Sequence, residues 1–378
     1  MSDLPPMDVA TRLERLRSRL DDADCDALLV TNLVNVGYLT GFTGSAGLLL
    51  VLAHEVVLTT DGRYRHQARE QLDAARVDVR IEIGGAKHQR QTIVDAGAGA
   101  ERLGLEAAHV TWAQQRAFAE DWFPSSELVA TTNLVEDLRL VKDTGEVARI
   151  AQAASIADRA LDAVKVLLAA SVPDAGVTEQ EVALALDVEM RRLGASGSAF
   201  PTIVASGPNG AKPHALPSDR PIGRGEMVVI DFGATVDGYR SDMTRTLCIG
   251  PPATETLARM FEVVTEAQRV GVRAVAAGRP AADVDAACRA VIDDAGWGVA
   301  FVHGTGHGVG LDIHEAPAVA ATSGDTLAAG HVVTVEPGVY IPSQGGVRVE
   351  DTVVVTVGGC QPLTLSPKTL SPNEGRLT

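Results

Sequence analysis

Five side chains that can bind a metal ion through oxygen or nitrogen follow one another in the second half of the chain. They are Asp231, Asp242, His307, Glu336 and Glu350. Four carboxylates and one imidazole, without a thiolate, favour divalent ions such as Mn²⁺, Co²⁺ or Zn²⁺. Two such ions about 3.5 Å apart activate a water and polarise a carbonyl or phosphoryl oxygen. The pattern therefore predicts a hydrolase that depends on two divalent metal ions, most simply Mn²⁺.

The first two acids lie in a predicted β-hairpin over residues 226–248. If an Asp-Gly pair forms its two-residue turn, Asp231 faces Thr244 and Asp242 is the diagonal neighbour on the same face. Two acids on one face of an apolar hairpin repel each other unless a cation lies between them. A β-bulge would turn one acid towards solvent, so the hairpin alone suggests a site without defining it.

A glycine-rich segment, FVHGTGHGVGLDIHE, carries His303, His307 and His314 within twelve residues. Its alternating glycines predict a loop or strand in which the backbone passes close to a bound ion or substrate, and they argue against a helical His pair. Further along, Glu336 ends the apolar run VVTVE. Glu350 follows in VRVED, two residues after Arg348, and the two share a face if this run is a strand.

The elements that position these residues divide into two regions, with a predicted boundary near residue 138. Residues 1–138 contain short apolar runs at 26–31, 46–52 and 55–60 and helical patterns at 11–24 and 63–74, which predict a small α/β domain. Residues 139–378 begin with a long helical pattern over 144–195, interrupted by a capping box at Thr178 and Glu181.

The second region contains an internal echo. GEMVVIDFG at 225–233 resembles GHVVTVEPG at 330–338, and TGEVARI at 144 resembles TETLARM at 254. In this alignment Asp231 corresponds to Glu336. The echo predicts a duplicated, pseudo-two-fold α+β domain whose site lies where the halves meet.

Composition narrows the function classes. The formal net charge of −16 argues against nucleic acid or an anionic membrane as the main partner, because both select basic surfaces. No apolar run reaches the roughly 18 residues of a membrane span. The four cysteines are scattered without CxxC spacing, and the polar N-terminus lacks a signal-peptide pattern, so we expect a soluble cytoplasmic protein.

At the five acid and histidine positions the sequence resembles the pita-bread metallopeptidases, a family that includes methionine aminopeptidase, aminopeptidase P and prolidase. The Xaa-Pro branch is also matched by His214 in PHALP, His303 in FVHG, His314 in LDIHE and Arg348 in VRVED. GFTGSAG and TDGRYRHQA in the first half resemble the creatinase-type N-terminal domain of that branch. The resemblance implies a pita-bread catalytic domain preceded by a smaller α/β domain.

The resemblance also implies roles. Asp242 and Glu350 would bridge both ions, whereas Asp231, His307 and Glu336 would each bind one. A metal-activated water would attack the Xaa–Pro carbonyl, with Glu336 handling the water proton. His303 and His214 would steady the oxyanion and the substrate, and His314 would line the proline pocket. Arg348 would orient Glu350 or the substrate carboxylate.

Three readings of the activity stay open at this stage. We expect an Xaa-Pro aminopeptidase that releases the N-terminal residue from short proline-containing peptides. The alternative is an Xaa-Pro dipeptidase (prolidase), which must recognise the free carboxylate after proline. A catalytically inactive pita-bread binding protein is a remote alternative, because the chain retains all five metal-binding side chains. The resemblance further implies a homodimer or homotetramer.

Overall fold

The structure, a computed structural model, describes residues 4–170, 176–342 and 344–373. The chain forms two compact units. One comprises Met7–Arg139, and the other comprises Leu140–Thr378 together with Met1–Pro6. Across the described residues, no helix is both long enough and apolar enough to cross a membrane.

The first unit is built on one six-stranded mixed sheet with the order β4-β3-β2-β1-β5-β6. Its strands are β1 (Ala27–Val30), β2 (Leu48–Leu52), β3 (Val56–Thr60), β4 (Arg80–Ile83), β5 (Arg102–Glu106) and β6 (Glu127–Thr131). Its helices are α1 (Arg12–Arg17), α2 (Leu33–Thr40), α3 (Arg65–Ala75), α4 (Ala86–Gly97), α5 (Trp112–Ala117) and α6 (Glu136–Leu140). Strands β1 to β3 pair antiparallel, whereas β4, β5 and β6 join the sheet in parallel.

The three apolar runs of the first unit form β1, β2 and β3, as predicted, and their side chains fill its core. The helix expected over residues 11–24 is shorter, because α1 ends at Arg17. The polar stretch that follows forms turns instead, and Asp24 has a φ of 59°. Aspartate tolerates this left-handed conformation better than most residues and competes with the helix for backbone hydrogen bonds.

The second unit contains two pairs of long helices and the remaining strands. The helices are α7 (Thr144–Ala170), α8 (Glu179–Arg192), α9 (Glu255–Ala274) and α10 (Ala281–Asp294). The strands of the first half are β7 (Gly197–Ser198), β8 (Ile203–Ser206), β9 (Met227–Phe232), β10 (Ala234–Val236), β11 (Tyr239–Arg240) and β12 (Met243–Cys248). Those of the second half are β13 (Gly306–Gly308), β14 (Glu315–Val319), β15 (Val332–Val335), β16 (Gly338–Ile341), β17 (Gly345–Arg348), β18 (Asp351–Thr356) and β19 (Gly359–Pro362).

The order of elements repeats within this unit. In the first half, α7 and α8 pack with β8, β9 and β12 around one apolar core. In the second half, α9 and α10 pack with β15, β17 and β18 around another. The helical pattern predicted over 144–195 is divided into α7 and α8, and the predicted capping box of Thr178 and Glu181 opens α8. The repeat agrees with the duplication that the sequence echo predicts.

The hairpin that carries the first two acids has the predicted register. Asp231 in β9 faces Thr244 in β12, and the two-residue turn is formed by Asp237 (φ 49°) and Gly238 (φ 85°). Between the two halves of this hairpin, Gly233 passes so close to the opposite strand that a Cβ would lie 1.8 Å from the carbonyl oxygen of Ser241. Only glycine permits this approach, which keeps the two sides of the hairpin in register.

Candidate metal centre

Three carboxylates from both halves of the second unit converge at one buried point. Asp231 belongs to β9, Asp242 immediately precedes β12, and Glu350 lies between β17 and β18. Each offers one oxygen, and these oxygens all lie within 4.8 Å of one another. All three residues are buried. The pairing of β9 with β12 brings the first two acids together, whereas Glu350 reaches them through a backbone hydrogen bond from its N–H to the carbonyl oxygen of Thr244.

His307 and Glu336 complete the cluster from the second half. His307 lies in β13, and its Nε2 is 3.4 Å from Oε1 of Glu336 and 3.7 Å from Oδ2 of Asp242. The other ring nitrogen, Nδ1, is 2.9 Å from the carbonyl oxygen of Gly308 and therefore carries the hydrogen. This tautomer presents the lone pair of Nε2 to the acids, as a histidine ligand requires.

Crowding of the acids disturbs their protonation. Burial raises the pKa of Asp242 well above its ordinary value, and the neighbouring carboxylates of Glu350 and Asp231 raise it further. The pKa of Glu350 is likewise raised by burial and then by Glu336 and Asp231. Burial raises the pKa of Glu336 to about 8. Burial lowers the pKa of His307, so its imidazole is neutral. Without positive charge nearby, Glu336 therefore retains a proton near neutral pH, and burial and mutual repulsion disfavour the ionised forms of Asp242 and Glu350.

Two buried oxygens at the centre lack a hydrogen-bond partner within the described residues. They are Oδ1 of Asp231 and Oε1 of Glu350. Their sister oxygens are satisfied, since Asp231 Oδ2 accepts from Arg348 Nη2 at 2.5 Å and Glu350 Oε2 accepts from Thr244 Oγ1 at 2.7 Å. A buried, unsatisfied carboxylate oxygen is costly, and a cation removes that cost. The donor set and these two oxygens fit divalent ions.

A chain of hydrogen bonds extends from the acids into the neighbouring wall. The buried guanidinium of Arg348 donates to Asp231 and, through Nη1, to the Tyr340 hydroxyl at 2.7 Å. That hydroxyl lies 2.8 Å from Nε2 of His303, whose Nδ1 is 2.7 Å from the carbonyl oxygen of Gly304. Nδ1 therefore donates to the carbonyl, and Nε2 accepts from Tyr340. Burial lowers the pKa of His303 to about 4, so the ring is neutral.

Four residues of the cluster line the floor of a cleft of about 430 Å³ in the second unit, namely Asp231, Asp242, His307 and Glu336. Every residue to which the sequence assigned a catalytic role lies on this cleft: His214, His303, His314, Glu336 and Arg348. The rings of His307 and His314 are in edge-to-face contact, with centroids 4.4 Å apart. Apolar side chains line the remaining wall, namely Phe200, Pro201, Ile203, Pro213, Leu216 and Ile313. The cleft thus combines an acidic floor with imidazoles and an apolar surface.

Several residues that hold this arrangement in place were not recognised from the sequence. Thr244 receives a hydrogen bond from Arg348 Nε at 3.1 Å and donates to Glu350. Arg289 of α10 donates to the carbonyl oxygens of Phe301 and His303, which anchors the segment leading to His303. The predicted hairpin register already placed Thr244 opposite Asp231, so its position next to the site could have been predicted from the sequence. No pattern in the sequence indicated the role of Arg289, because its contacts depend on how α10 packs.

Comparison with known families agrees with this geometry. Residues 148–357 match the family described as metallopeptidase family M24, and residues 12–141 match the Creatinase/Prolidase N-terminal domain. The chain is 40% identical to a protein of Bacillus subtilis named Uncharacterized peptidase YqhT. That similarity extends over 359 residues, 95% of this chain and 99% of the relative.

Solved structures resemble the chain over nearly its whole length. An Xaa-Pro dipeptidase from Bacillus anthracis has a TM-score of 0.89 at 39% identity, covering 95% of this chain and 98% of the other. An X-Pro aminopeptidase from Thermotoga maritima has a TM-score of 0.85 at 33% identity, covering 95% and 99%. The fold is the expected pita-bread domain preceded by a creatinase-type domain. The chain therefore belongs to metallopeptidase family M24 and carries a Creatinase/Prolidase N-terminal domain.

Proposed function

We propose that the chain is a metal-dependent exopeptidase that hydrolyses Xaa–Pro bonds at the N-terminus of short peptides. The observation that carries the proposal is the convergence of Asp231, Asp242 and Glu350 beside an open cleft that Asp231 and Asp242 line, with one unsatisfied oxygen on each of Asp231 and Glu350. Similar proteins named Xaa-Pro dipeptidase and X-Pro aminopeptidase support the bond specificity.

The proposed ligands are the five residues of the cluster. Asp242 and Glu350 would serve both ions, and Asp231, His307 and Glu336 would serve one each. When bound, two divalent ions would supply a nucleophilic water at neutral pH and polarise the scissile carbonyl. Their charge would also offset the repulsion that raises the pKa values of Asp242 and Glu350.

Glu336 is the proposed proton acceptor. Its Oε1 is held by the Thr334 hydroxyl at 3.3 Å, and the side chain lines the cleft. A carboxylate within reach of the attacking water can accept its proton and return it to a leaving group. The leaving group here is a prolyl nitrogen, which must gain a proton as the bond breaks. Glu336 would pass it that proton.

The histidines and the apolar wall are the proposed substrate contacts. His303 is neutral and held on both ring nitrogens, so it presents a fixed ring at the cleft wall. Because both of its nitrogens are engaged, His303 would contact the substrate through its ring, whereas His214 would steady the oxyanion. His314 and the apolar side chains of Ile313 and Phe200 would enclose the pyrrolidine ring, which is apolar and lacks an N–H. A prolyl amide is tertiary, so a site suited to it needs shape complementarity in place of a hydrogen bond to that nitrogen.

Between the two exopeptidase activities we propose the Xaa-Pro aminopeptidase, with the dipeptidase as the alternative that similar proteins equally support. Metal-stripped protein resupplied with Mn²⁺ would be given an equimolar Xaa-Pro dipeptide and Xaa-Pro-Xaa tripeptide, with products read by mass spectrometry. Release of the first residue chiefly from the tripeptide supports the aminopeptidase. Cleavage chiefly of the dipeptide identifies a dipeptidase, and no cleavage of either contradicts the proposed function.

Metal identity, assembly and location are part of the same proposal. We propose Mn²⁺ as the working ion, a homodimer or homotetramer, and a cytoplasmic protein that binds neither nucleic acid nor membrane. Elemental analysis of protein purified without added metal, with light scattering on the same sample, tests the first two. A protein that takes up no metal from metal-rich medium and gains no activity on metal addition would instead be an inactive binding protein.

A further inference from the structure

A second buried carboxylate organises the segment that carries His214. Glu179, the first residue of α8, is fully buried. Its Oε1 accepts hydrogen bonds from the backbone N–H of Ser206 at 2.7 Å and from its hydroxyl at 2.8 Å. Its Oε2 accepts from the hydroxyl of Ser218 at 2.6 Å and from its N–H at 3.1 Å. The side-chain amide of Asn209 donates to both oxygens at 3.2 and 3.0 Å.

The carboxylate thus accepts six hydrogen bonds, all from Ser206, Asn209 and Ser218. Burial alone would raise the pKa of Glu179, but the hydrogen bonds from Ser218 and Ser206 outweigh it and leave the pKa below its ordinary value. One charge of each sign lies nearby, because Arg220 Nη1 donates to the Ser206 hydroxyl at 2.6 Å and to Glu226 Oε2 at 2.8 Å. The N-terminus of α8 adds a favourable dipole. Glu179 is consequently ionised although it is buried.

The carboxylate of Glu179 joins the two ends of the segment 207–217. Ser206 and Ser218 bound residues 207–217, which supply Pro213, His214 and Leu216 to the wall of the cleft. Backbone bonds strengthen the join, because the N–H of Gln180 in α8 donates to the carbonyl oxygen of Ser218 at 3.0 Å. Closing both ends on one rigid helix restricts the backbone between them.

His214 depends on that restriction. Its ring is exposed, and it makes no hydrogen bond to any residue that the structure describes. The neighbouring anchors act on the backbone or on adjacent residues: Arg348 Nη1 donates to the Pro213 carbonyl at 3.2 Å, and buried Ala215 packs with Ile203. The position of the His214 ring is thus set by its segment.

We propose that Glu179 is a positioning residue, which acts through residues 207–217 to hold His214 and Leu216 against the substrate. The proposal rests on the proposed function only in assuming that His214 contacts substrate. Glu179 itself lies outside the metal cluster and does not line the cleft.

Replacing Glu179 with glutamine tests the proposal with almost no change of volume. An amide presents an NH₂ group at one end, which would oppose the backbone N–H of Ser206 or of Ser218 and leave that N–H without its acceptor. Glu181→Gln is the matched control on the same helix. Gln at this third helical position still accepts the capping-box bond from the N–H of Thr178.

The first measurement is hydrogen–deuterium exchange of the metal-loaded proteins over residues 206–218, with metal content determined on the same samples. In Glu179→Gln we expect faster exchange in this segment, unchanged metal content, and kcat/KM on the cleaved Xaa-Pro substrate about 10- to 100-fold lower, the usual cost of a misplaced group. Glu181→Gln should match the wild type in all three.

A double-mutant cycle with His214→Ala separates positioning from general damage. If Glu179 acts through His214, Glu179→Gln should lower kcat/KM much less in the His214→Ala background than in the wild type. Additive losses, or exchange as slow as in Glu181→Gln, overturn the proposal. A His214→Ala protein with normal kinetics contradicts the substrate role of His214, and exchange then decides the positioning role alone. If Glu179→Gln does not fold, Ser218→Ala, which removes one bond to Oε2, takes its place with a smaller expected effect.

Discussion

Arg348 and Asp231 form a buried hydrogen-bonded ion pair, with Nη2 2.5 Å from Oδ2, that links the two halves of the catalytic unit. The pair occupies one oxygen of Asp231, and the other, Oδ1, is buried without a hydrogen-bond partner within the described residues. Burial alone would lower the pKa of Arg348, but Tyr340, Asp231 and Glu336 raise it well above its ordinary value, so it stays charged. Arg348 thereby orients one acid and holds Tyr340.

Breaking this pair should destabilise the protein. In Arg348→Met, Asp231 keeps a buried charge without its partner, which costs about 3–5 kcal/mol in the free energy of unfolding. Arg348→Lys should recover only part of this, because an ammonium cannot reach Asp231, Tyr340 and Thr244 together. Urea denaturation of the metal-free proteins measures both. Equal stability of the lysine variant and the wild type would show that charge alone matters.

Asp242→Ala should abolish metal binding and activity while sparing the fold. Asp242 has an oxygen within 4.8 Å of oxygens of Asp231 and Glu350, and its Oδ2 is 3.7 Å from His307 Nε2. Loss of Asp242 should lower metal affinity by more than about 100-fold. Removing a residue that only supports a ligand costs at most about that much, and Asp242 is proposed to be a ligand itself. In the metal-free state it should not lower the free energy of unfolding, because one of several repelling acids is gone. Elemental analysis and circular dichroism test this, and near-normal turnover with saturating Mn²⁺ would refute the assignment.

His303→Ala should leave metal occupancy intact and lower kcat. The ring contacts Tyr340 and the backbone of Gly304, not the carboxylates. Loss of a side chain that positions the substrate can lower the rate by about 100-fold. Tyr340→Phe is the control, since it removes the hydroxyl between Arg348 and His303 but keeps both rings. Loss of metal in His303→Ala would mean that this histidine is itself a ligand.

Metal binding should release a proton from Glu336. The same proton should make the stability of the metal-free protein depend on pH. Burial raises the pKa of Glu336 from 4.5 to about 8. Between pH 4.5 and pH 8 the folded metal-free protein therefore keeps a proton on Glu336 that the unfolded chain has released. The contribution of Glu336 to stability is therefore full below pH 4.5 and falls as the pH rises towards 8. His303, with a pKa lowered to about 4, changes stability in the opposite direction.

The difference between the wild type and Glu336→Gln isolates this effect, because glutamine does not titrate. We expect the metal-free wild type to lose stability relative to Glu336→Gln as the pH rises from 4.5 to 8. Calorimetric titration with Mn²⁺ at pH 6.5 in two buffers of different ionisation enthalpy should show release of about one proton more in the wild type. Equal proton release by both proteins would mean that Glu336 is already ionised.

Much of the fold followed from local patterns. The apolar runs of β1 to β3, the capping box of α8 and the register of Asp231 against Thr244 are short-range features, and each was predictable. Strands β4 to β6 were not predicted individually. Most residues of β4 and β6 are exposed or half-buried and lack a clean alternation, whereas β5 is buried except at Arg102. β4 and β6 are the edge strands of the sheet, and they are strands because a neighbouring strand offers them partners.

The sequence by itself determined which residues could form the site. The types and order of Asp231, Asp242, His307, Glu336 and Glu350, and the glycines near His307, restrict the chemistry before any fold is known. Tertiary structure decided which oxygens are left unsatisfied, which neighbour holds His303, and that Glu179 closes the segment of His214. Those relationships join residues far apart in sequence, and their energies depend on distance and burial. No local pattern in the chain encodes either quantity.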